Sequence, residues 1–308
     1  MINRILIRIK VLQIVYSFYQ NGNKDLKAAE NELLFSLRKS YDLYHYLLLL
    51  IIELTYQQKR NLDFRRNKYR PSDEDLNPNM RLVNNRFAAL LEKNEALQKY
   101  VTEQGVSWAN DQDFIKSTLD MILVSDVYTE YLKQPEDSFE VDAEFWRAVF
   151  KKILCNNEII DEYLEDKSIY WNDDIEIIET FVLKTIKKFN EADGVSQPLL
   201  PMFKDVEDQD FALRLFRQTL LKGEELRERI NKHLKNWETE RIANMDLIIM
   251  QVALAEILTF PSIPINVTLN EYIDFAKYYS TPKSGNFING ILDSVVKELK
   301  SEKLLRKD

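Results

Sequence analysis

The sequence is poor in the residues that end secondary structure, because its 308 residues include only 6 glycines and 8 prolines. Few turns imply long elements, and no segment alternates apolar and polar residues as a half-buried strand does. A single cysteine, Cys155, excludes an intrachain disulfide and is compatible with a reducing compartment. These absences predict an all-α protein without structural disulfides.

Long apolar runs and catalytic motifs are also missing. The longest purely apolar run, 46–52, is far shorter than the about 20 residues that cross a membrane, and basic residues interrupt the apolar N-terminus, so no signal peptide is predicted. The two histidines, His45 and His233, have no partner motif, and there is no glycine-rich phosphate loop or cluster of metal ligands. We therefore expect a cytoplasmic protein that is not an enzyme and that binds no metal or other cofactor.

The charge of the chain is negative but uneven. Its net charge of −8 argues by itself against a nucleic-acid-binding protein. Residues 133–210 hold 20 acids and 9 bases, whereas residues 1–24 contain no acid and carry Arg4 and Arg8 among apolar residues. Such a distribution indicates either a local nucleic-acid site in an acidic chain or a chance fluctuation.

Apolar periodicity predicts helices along most of the chain. The first, 2–20, is apolar on most sides and should be largely buried, with Arg4 and Arg8 at the edge of its apolar face. A second runs from about 25 to 60 with a possible break near Ser40, and a polar linker follows at 67–81. The other predicted helices are 82–104, 111–133, 142–155, 157–168, 173–190, 210–222, 224–237, 240–259, 266–279 and 284–300, with a connection at 191–209.

The most specific pattern lies in the last quarter of the chain. Residues 264–293 read PINVTLNEYIDFAKYYSTPKSGNFINGILD, and they follow the apolar helix ERIANMDLIIMQVALAEIL. Gly290 is unusual there, because glycine inside a helix costs about 1 kcal/mol relative to alanine, and we expect close approach of another helix or of a ligand. The block 210–296, together with a weaker match at 4–16, resembles the NusB family of transcription antitermination factors.

This resemblance implies an all-α fold: a NusB-like helical bundle in two subdomains, here with a large helical insertion. Roughly 60–200 has no counterpart in the compact members of the family. We therefore expect three parts. They are N-terminal helices with a basic RNA-binding helix at 1–66, an acidic helical insertion at 67–200, and a NusB-like C-terminal bundle at 201–308.

The resemblance also implies a function without catalysis. The protein would bind boxA-type single-stranded RNA together with the ribosomal protein NusE and would join the elongating RNA polymerase complex. The residues that the resemblance assigns to RNA are Arg4, Arg8, Tyr16, Lys283, Asn286 and Phe287, and those that it assigns to the NusE partner are Glu240 and Asp246. Arginines would meet phosphates, aromatic rings would stack on unpaired bases, and the free N–H groups of the last helix would favour an anion.

Each assignment has a structural alternative. Tyr16 and Phe287 have the character of core residues, and Glu240 and Asp246 are acids of the kind that a helix N-terminus favours. Gln251 replaces a basic residue that is common in the family's central helix. RNA affinity would then be weaker, or supplied in part by a basic linker comprising Arg60, Arg65, Arg66, Lys68 and Arg70.

Two other functions are compatible with the resemblance. The same helical fold occurs as a module of RNA cytosine methyltransferases. That function needs a downstream cofactor-binding domain and a Pro-Cys nucleophile, whereas Cys155 does not follow a proline and the chain ends at Asp308, just after the family's last helix. The second alternative is a protein-interaction scaffold that does not bind RNA.

Overall fold

The computed structural model describes residues 1–22, 25–234 and 243–305. In these ranges the secondary structure is helical, and the β contact is a single parallel bridge between Ile2 and Phe203. The predicted all-α class is confirmed. Within the same ranges, none of the helices has the length and apolar character needed to span a membrane.

The chain divides into two compact units. Unit 1 comprises Met1 and Arg38–Met202, and unit 2 comprises Ile2–Leu37 and Phe203–Asp308. The second division lies two residues from the boundary expected at 200, whereas the first falls at Leu37 and Arg38 rather than at 66. The difference arises because the division falls inside one long helix, Leu26–Arg66, whose residues from Arg38 onward belong to unit 1.

That helix is α2, Leu26–Arg66. The break expected near Ser40 is absent, because the buried Ser40 hydroxyl donates a hydrogen bond of 2.6 Å to Asp174 Oδ2. The other helices of unit 1 are α3 (Asp73–Leu76), α4 (Arg86–Glu92), α5 (Glu95–Gln104), α6 (Gln112–Leu123), α7 (Asp126–Lys133), α8 (Phe139–Val149), α9 (Glu158–Lys167) and α10 (Ile175–Lys188). A π-helical segment, Phe150–Leu154, follows α8, and a 3₁₀ segment, Glu191–Ser196, follows α10.

Two helices that periodicity predicts as continuous are each divided by a capping side chain. The predicted helix 82–104 becomes α4 and α5 because Asn94 accepts a hydrogen bond from Leu97 N and starts a new helix. Ser125 divides 111–133 in the same way, by accepting from Tyr128 N. Asparagine and serine are favoured at this position because their oxygens satisfy free N–H groups.

Unit 2 is built around one buried helix, α13 (Asn244–Thr259). Besides the start of α2, its other helices are α1 (Arg4–Gln20), α11 (Val206–Leu221), α12 (Gly223–Lys232), α14 (Ile265–Tyr279) and α15 (Ser284–Ser301). α13 packs against α1, α11, α12, α14 and α15. Its sequence is apolar on nearly every side, which is what a helix surrounded by others requires. α1 is also mostly buried, as its sequence predicts.

Candidate functional site

The two N-terminal arginines assigned to RNA lie in different environments. Arg8 is 3% exposed, and its Nε and Nη2 each donate a hydrogen bond of 2.8 Å to the fully buried carboxylate of Glu256. The expected phosphate contact at Arg8 is therefore not available at the surface, because this guanidinium is already bound inside the unit. Arg8 joins α1 to α13 instead.

Glu256 is the centre of a buried polar cluster. Its carboxylate also accepts hydrogen bonds from Thr268 Oγ1 at 2.7 Å and from the Tyr272 hydroxyl at 3.1 Å, so the cluster includes α14. Burial by itself lowers the pKa of Arg8, but the hydrogen bonds and charge of Glu256 outweigh it and the pKa is raised. This anchor was missed from the sequence. The sequence signal that could have found it is Glu256 itself, an acid whose neighbours in the helix are apolar.

Arg4 keeps part of its charge accessible. Its side chain is 39% exposed, its Nε lies 3.5 Å from Asp208 Oδ1, and its guanidinium carbon lies 5.1 Å from the centre of the Phe211 ring. Such a long, partly solvated ion pair is weak and leaves the cation able to meet a second anion. On the same helix, Tyr16 is 37% exposed. Arg4 and Tyr16 are thus the predicted residues that α1 presents to solvent.

Gln251, expected to weaken RNA affinity because it replaces a basic residue, does not lie at the surface. It is fully buried, and its Nε2 donates to the Tyr19 hydroxyl at 2.7 Å and to Thr219 O at 2.9 Å. Its Oε1 accepts from Arg227 Nε at 2.9 Å. The residue therefore joins α13 to its neighbours and does not alter the surface charge.

The buried side chain of Asp246 holds the turn between α14 and α15 in place. This residue is 5% exposed, and its Oδ2 accepts a hydrogen bond of 3.0 Å from the Ser284 hydroxyl. The expected contact of Asp246 with a partner surface is therefore not available, since its carboxylate is turned into the bundle. Glu240, the other residue assigned to the partner, lies outside the described residues.

The first turns of α15 present the remaining predicted residues. Lys283 and Asn286 are exposed, and Phe287 is half-buried. Residues 283, 286, 287 and 290 follow helical spacing and share one side of the helix. A Cβ added to Gly290 would meet nothing within 4 Å, so the expected approach of another helix at this glycine is wrong and the position is open. We call Lys283, Asn286, Phe287 and Gly290 the α15 stripe.

The structure places the predicted RNA residues on two helices that share a neighbour. α1 packs against α11 and α13, and α15 packs against α12, α13 and α14. Arg4 and Tyr16 therefore lie on one of two helices that pack against α13, and the α15 stripe lies on the other. The described residues contain no group of three His, Cys, Asp or Glu side chains suited to a metal ion.

The cysteine required by the methyltransferase alternative is unsuited to nucleophilic chemistry. Cys155 follows Leu154 instead of a proline. Burial raises the pKa of the Cys155 thiol, and the charge and hydrogen bond of Glu179 raise it further. A thiol held in its protonated form is a poor nucleophile.

Together these features define an all-α protein in which one helical bundle, anchored by a buried ion pair, presents exposed cations and aromatic side chains. The sequence model of the NusB family matches residues 182–297. The match includes all of the block singled out at 210–296 and leaves the weaker block at 4–16 outside.

Two sequence relatives agree with this match. The chain is 39% identical over 132 residues to the transcription antitermination protein NusB of Salinibacter ruber, covering 41% of this chain and 82% of the relative. It is 36% identical over 119 residues to the protein of the same name from Chloroherpeton thalassium, covering 38% of this chain and 56% of that relative. Among solved structures, T. maritima NusB is 28% identical, with a TM-score of 0.29, over 51% of this chain and 91% of that one.

The chain belongs to the NusB family, and it is larger than the typical member. More than half of its residues lie outside the alignment with the Salinibacter ruber relative.

Proposed function

We propose that this protein is a transcription antitermination factor that binds boxA-type single-stranded RNA together with the ribosomal protein NusE. In this role it joins the elongating RNA polymerase complex in the cytoplasm and performs no catalysis. The observation that carries the proposal is the α15 stripe. It exposes a cation, an amide and an aromatic ring on one side of a helix, within the residues that match the NusB family.

The stripe has the chemistry that unpaired RNA requires. Lys283 lies at the N-terminal end of α15, where the free N–H groups of the first turn add to its attraction for a phosphate. The half-buried ring of Phe287 is held in place while part of it stays accessible for stacking, and Asn286 can donate to and accept from a base edge. Arg4 and Tyr16 offer the same pair of interactions on α1.

Arg8 and Asp246 support this surface without touching RNA. Arg8 holds α1 against α13 through Glu256, and Asp246 holds the start of α15 through Ser284. Both are charged residues whose sequence positions suggest contact with a ligand, but whose side chains the fold uses for positioning.

The test is the affinity of the full chain for boxA-type RNA, measured by fluorescence anisotropy with and without NusE over a range of salt concentrations. Lys283→Ala should weaken binding and reduce the salt slope by about 0.7, the value for one phosphate contact on a single strand. Phe287→Leu keeps the apolar volume but removes the ring, and it should cost about 1–3 kcal/mol of binding if a base stacks there.

Lys297→Ala is the matched control for Lys283→Ala, since both lysines are exposed and belong to the same helical segment. It should bind RNA as the unchanged protein does. If Lys283→Ala and Phe287→Leu also bind normally at every salt concentration, the α15 stripe does not contact RNA. Binding of NusE without any RNA binding would instead assign the protein to the scaffold class.

A further inference from the structure

The charge of unit 1 is segregated. Its residues, Met1 and 38–202, carry 21 lysines and arginines against 30 acids. Six of those bases, with Asp63 as the one acid among them, fall within 59–70 at the C-terminal end of α2 and just beyond it. The unit is therefore strongly acidic except for one short basic segment, and such a local excess attracts anions even though the net charge is negative.

The basic segment is solvated and largely free of counter-charges. All six bases are exposed: Lys59, Arg60, Arg65, Arg66, Lys68 and Arg70. Lys68 forms an ion pair with Asp75 at 3.3 Å, and Arg60 donates to Gln112 Oε1. Within the described ranges, Arg65 and Arg66 have no carboxylate at ion-pair distance. These two arginines therefore retain their full capacity to bind phosphate.

Two aromatic rings that are mostly exposed to solvent lie among these cations. Phe64 is 74% exposed and Tyr69 is 95% exposed. The guanidinium of Arg70 lies over the Tyr69 ring, 5.8 Å from its centre. Cations alternating with open aromatic faces are the combination by which proteins bind the backbone and bases of single-stranded nucleic acid.

A hollow of about 320 Å³ opens beside Phe64 and Arg65. Its other walls are Gln58, Asn61, Leu62, Lys68, Asp120 and Leu123. Gln58 is 6% exposed. Its side-chain amide, in the wall of the hollow, can donate to and accept from the polar edge of a flat ring that enters it. The exposed carboxylate of Asp120 can accept from an exocyclic amino group of a base.

We propose that residues 59–70 and the hollow beside them form a binding site for single-stranded RNA, separate from the α15 stripe. The phosphates lie along Arg65 and Arg66, one base stacks on Phe64 inside the hollow, and Gln58 hydrogen-bonds its edge. The hollow favours RNA over an anionic membrane surface, because the polar side chains of Gln58, Asn61 and Asp120 in its wall suit a base edge and not an acyl chain. The site lies before residue 182, outside the residues that match the NusB family, so it does not depend on the function proposed above.

The experiment measures binding of fluorescent single-stranded RNA that lacks a boxA sequence to the full chain, at several salt concentrations. Arg65→Ala/Arg66→Ala should weaken binding and reduce the salt slope by about 1.4, equivalent to two phosphate contacts. Phe64→Ala should weaken it roughly 5- to 150-fold, the effect of losing one stacked base, without loss of thermal stability because the ring is exposed. Gln58→Leu should also weaken binding while keeping the packing volume.

The matched control is Lys187→Ala/Lys188→Ala, which removes the same charge from two exposed bases at the end of α10 in the same unit. This variant should bind as the unchanged protein does. Equal weakening in the two double variants would overturn the proposal, because binding would then follow only total charge. Binding of vesicles containing anionic lipid but no RNA would overturn it as well. The loss caused by Arg65→Ala/Arg66→Ala should be the same in a Lys283→Ala background, so failure of one site is distinguishable from failure of the other.

Discussion

Arg8 donates two hydrogen bonds to Glu256, which lies 248 residues further along the chain, and neither side chain is accessible to solvent. Removing one member of such a pair leaves the other charge buried without compensation, at a cost of about 3–5 kcal/mol. We expect Arg8→Ala to lower the free energy of unfolding by this amount, measured by urea denaturation followed by circular dichroism.

Arg4→Ala is the control, since its partly exposed pair with Asp208 should contribute less than about 1 kcal/mol. Replacing both members, as in Arg8→Met/Glu256→Met, should recover much of the loss because no unpaired charge remains. Similar losses for Arg4→Ala and Arg8→Ala would contradict the assignment of Arg8 to the buried anchor.

The turn before α15 offers a second test. Ser284→Ala removes the hydrogen bond to the buried Asp246 carboxylate, which should cost about 1–3 kcal/mol of stability and also weaken RNA binding by loosening the α15 stripe. Ser294→Ala is matched in chemistry and helix, but its hydroxyl bonds only to Gly290 O in the preceding turn. It should change neither thermal stability nor RNA affinity, and an equal effect of the two substitutions would exclude a positioning role for Ser284.

The open glycine of the α15 stripe predicts a gain of stability. Gly290→Ala should raise the free energy of unfolding by about 1 kcal/mol, because the position is helical and the added methyl group meets no neighbour. Gly223→Ala should do the opposite, since its Cβ would lie 2.7 Å from the Tyr19 hydroxyl. If Gly290→Ala stabilises the free protein but weakens binding of RNA or NusE, the glycine is an approach point for a ligand.

The pH dependence of unit 1 follows from Glu179. Burial, and then the charge of Asp161, raise the pKa of Glu179 to about 7. The folded chain therefore binds a proton that the unfolded chain has already released, and the free energy of unfolding should fall as pH rises from about 4.5 to about 7, then level off. Glu179→Gln should abolish this part of the slope in urea denaturation. Glu158→Gln, at an exposed acid, should retain it.

Much of the fold follows from apolar periodicity, because the helices of unit 2 each bury a broad face that recurs in the sequence. α13, α14 and α15 begin and end within a few residues of their predicted bounds. The divisions within 82–104 and 111–133 were not predicted. They depend on single caps, Asn94 and Ser125, whose effect lies in a local hydrogen bond and leaves the apolar pattern unchanged.

The site was predictable only in part, for a physical reason that Arg4 and Arg8 illustrate. The two arginines are one helical turn apart and look equivalent in the sequence. Their environments differ because Glu256, a residue remote in sequence, lies opposite one of them and not the other. Asp246 was mispredicted for the same reason. An acid at the start of a helix is expected to be exposed, but the turn before α15 covers this one.

The division of unit 2 into two separated stretches of chain also affects biosynthesis. At about 5–20 residues per second, the ribosome needs roughly 12–50 seconds to extend the polypeptide from Arg8 to Glu256. Until α11 is translated, the apolar α1 has neither of the helices α11 and α13 against which it packs, while all of unit 1 is translated and can fold. We expect the N-terminal helix to dock only after unit 1 has been made, and the nascent chain to depend on protection from aggregation until α13 emerges.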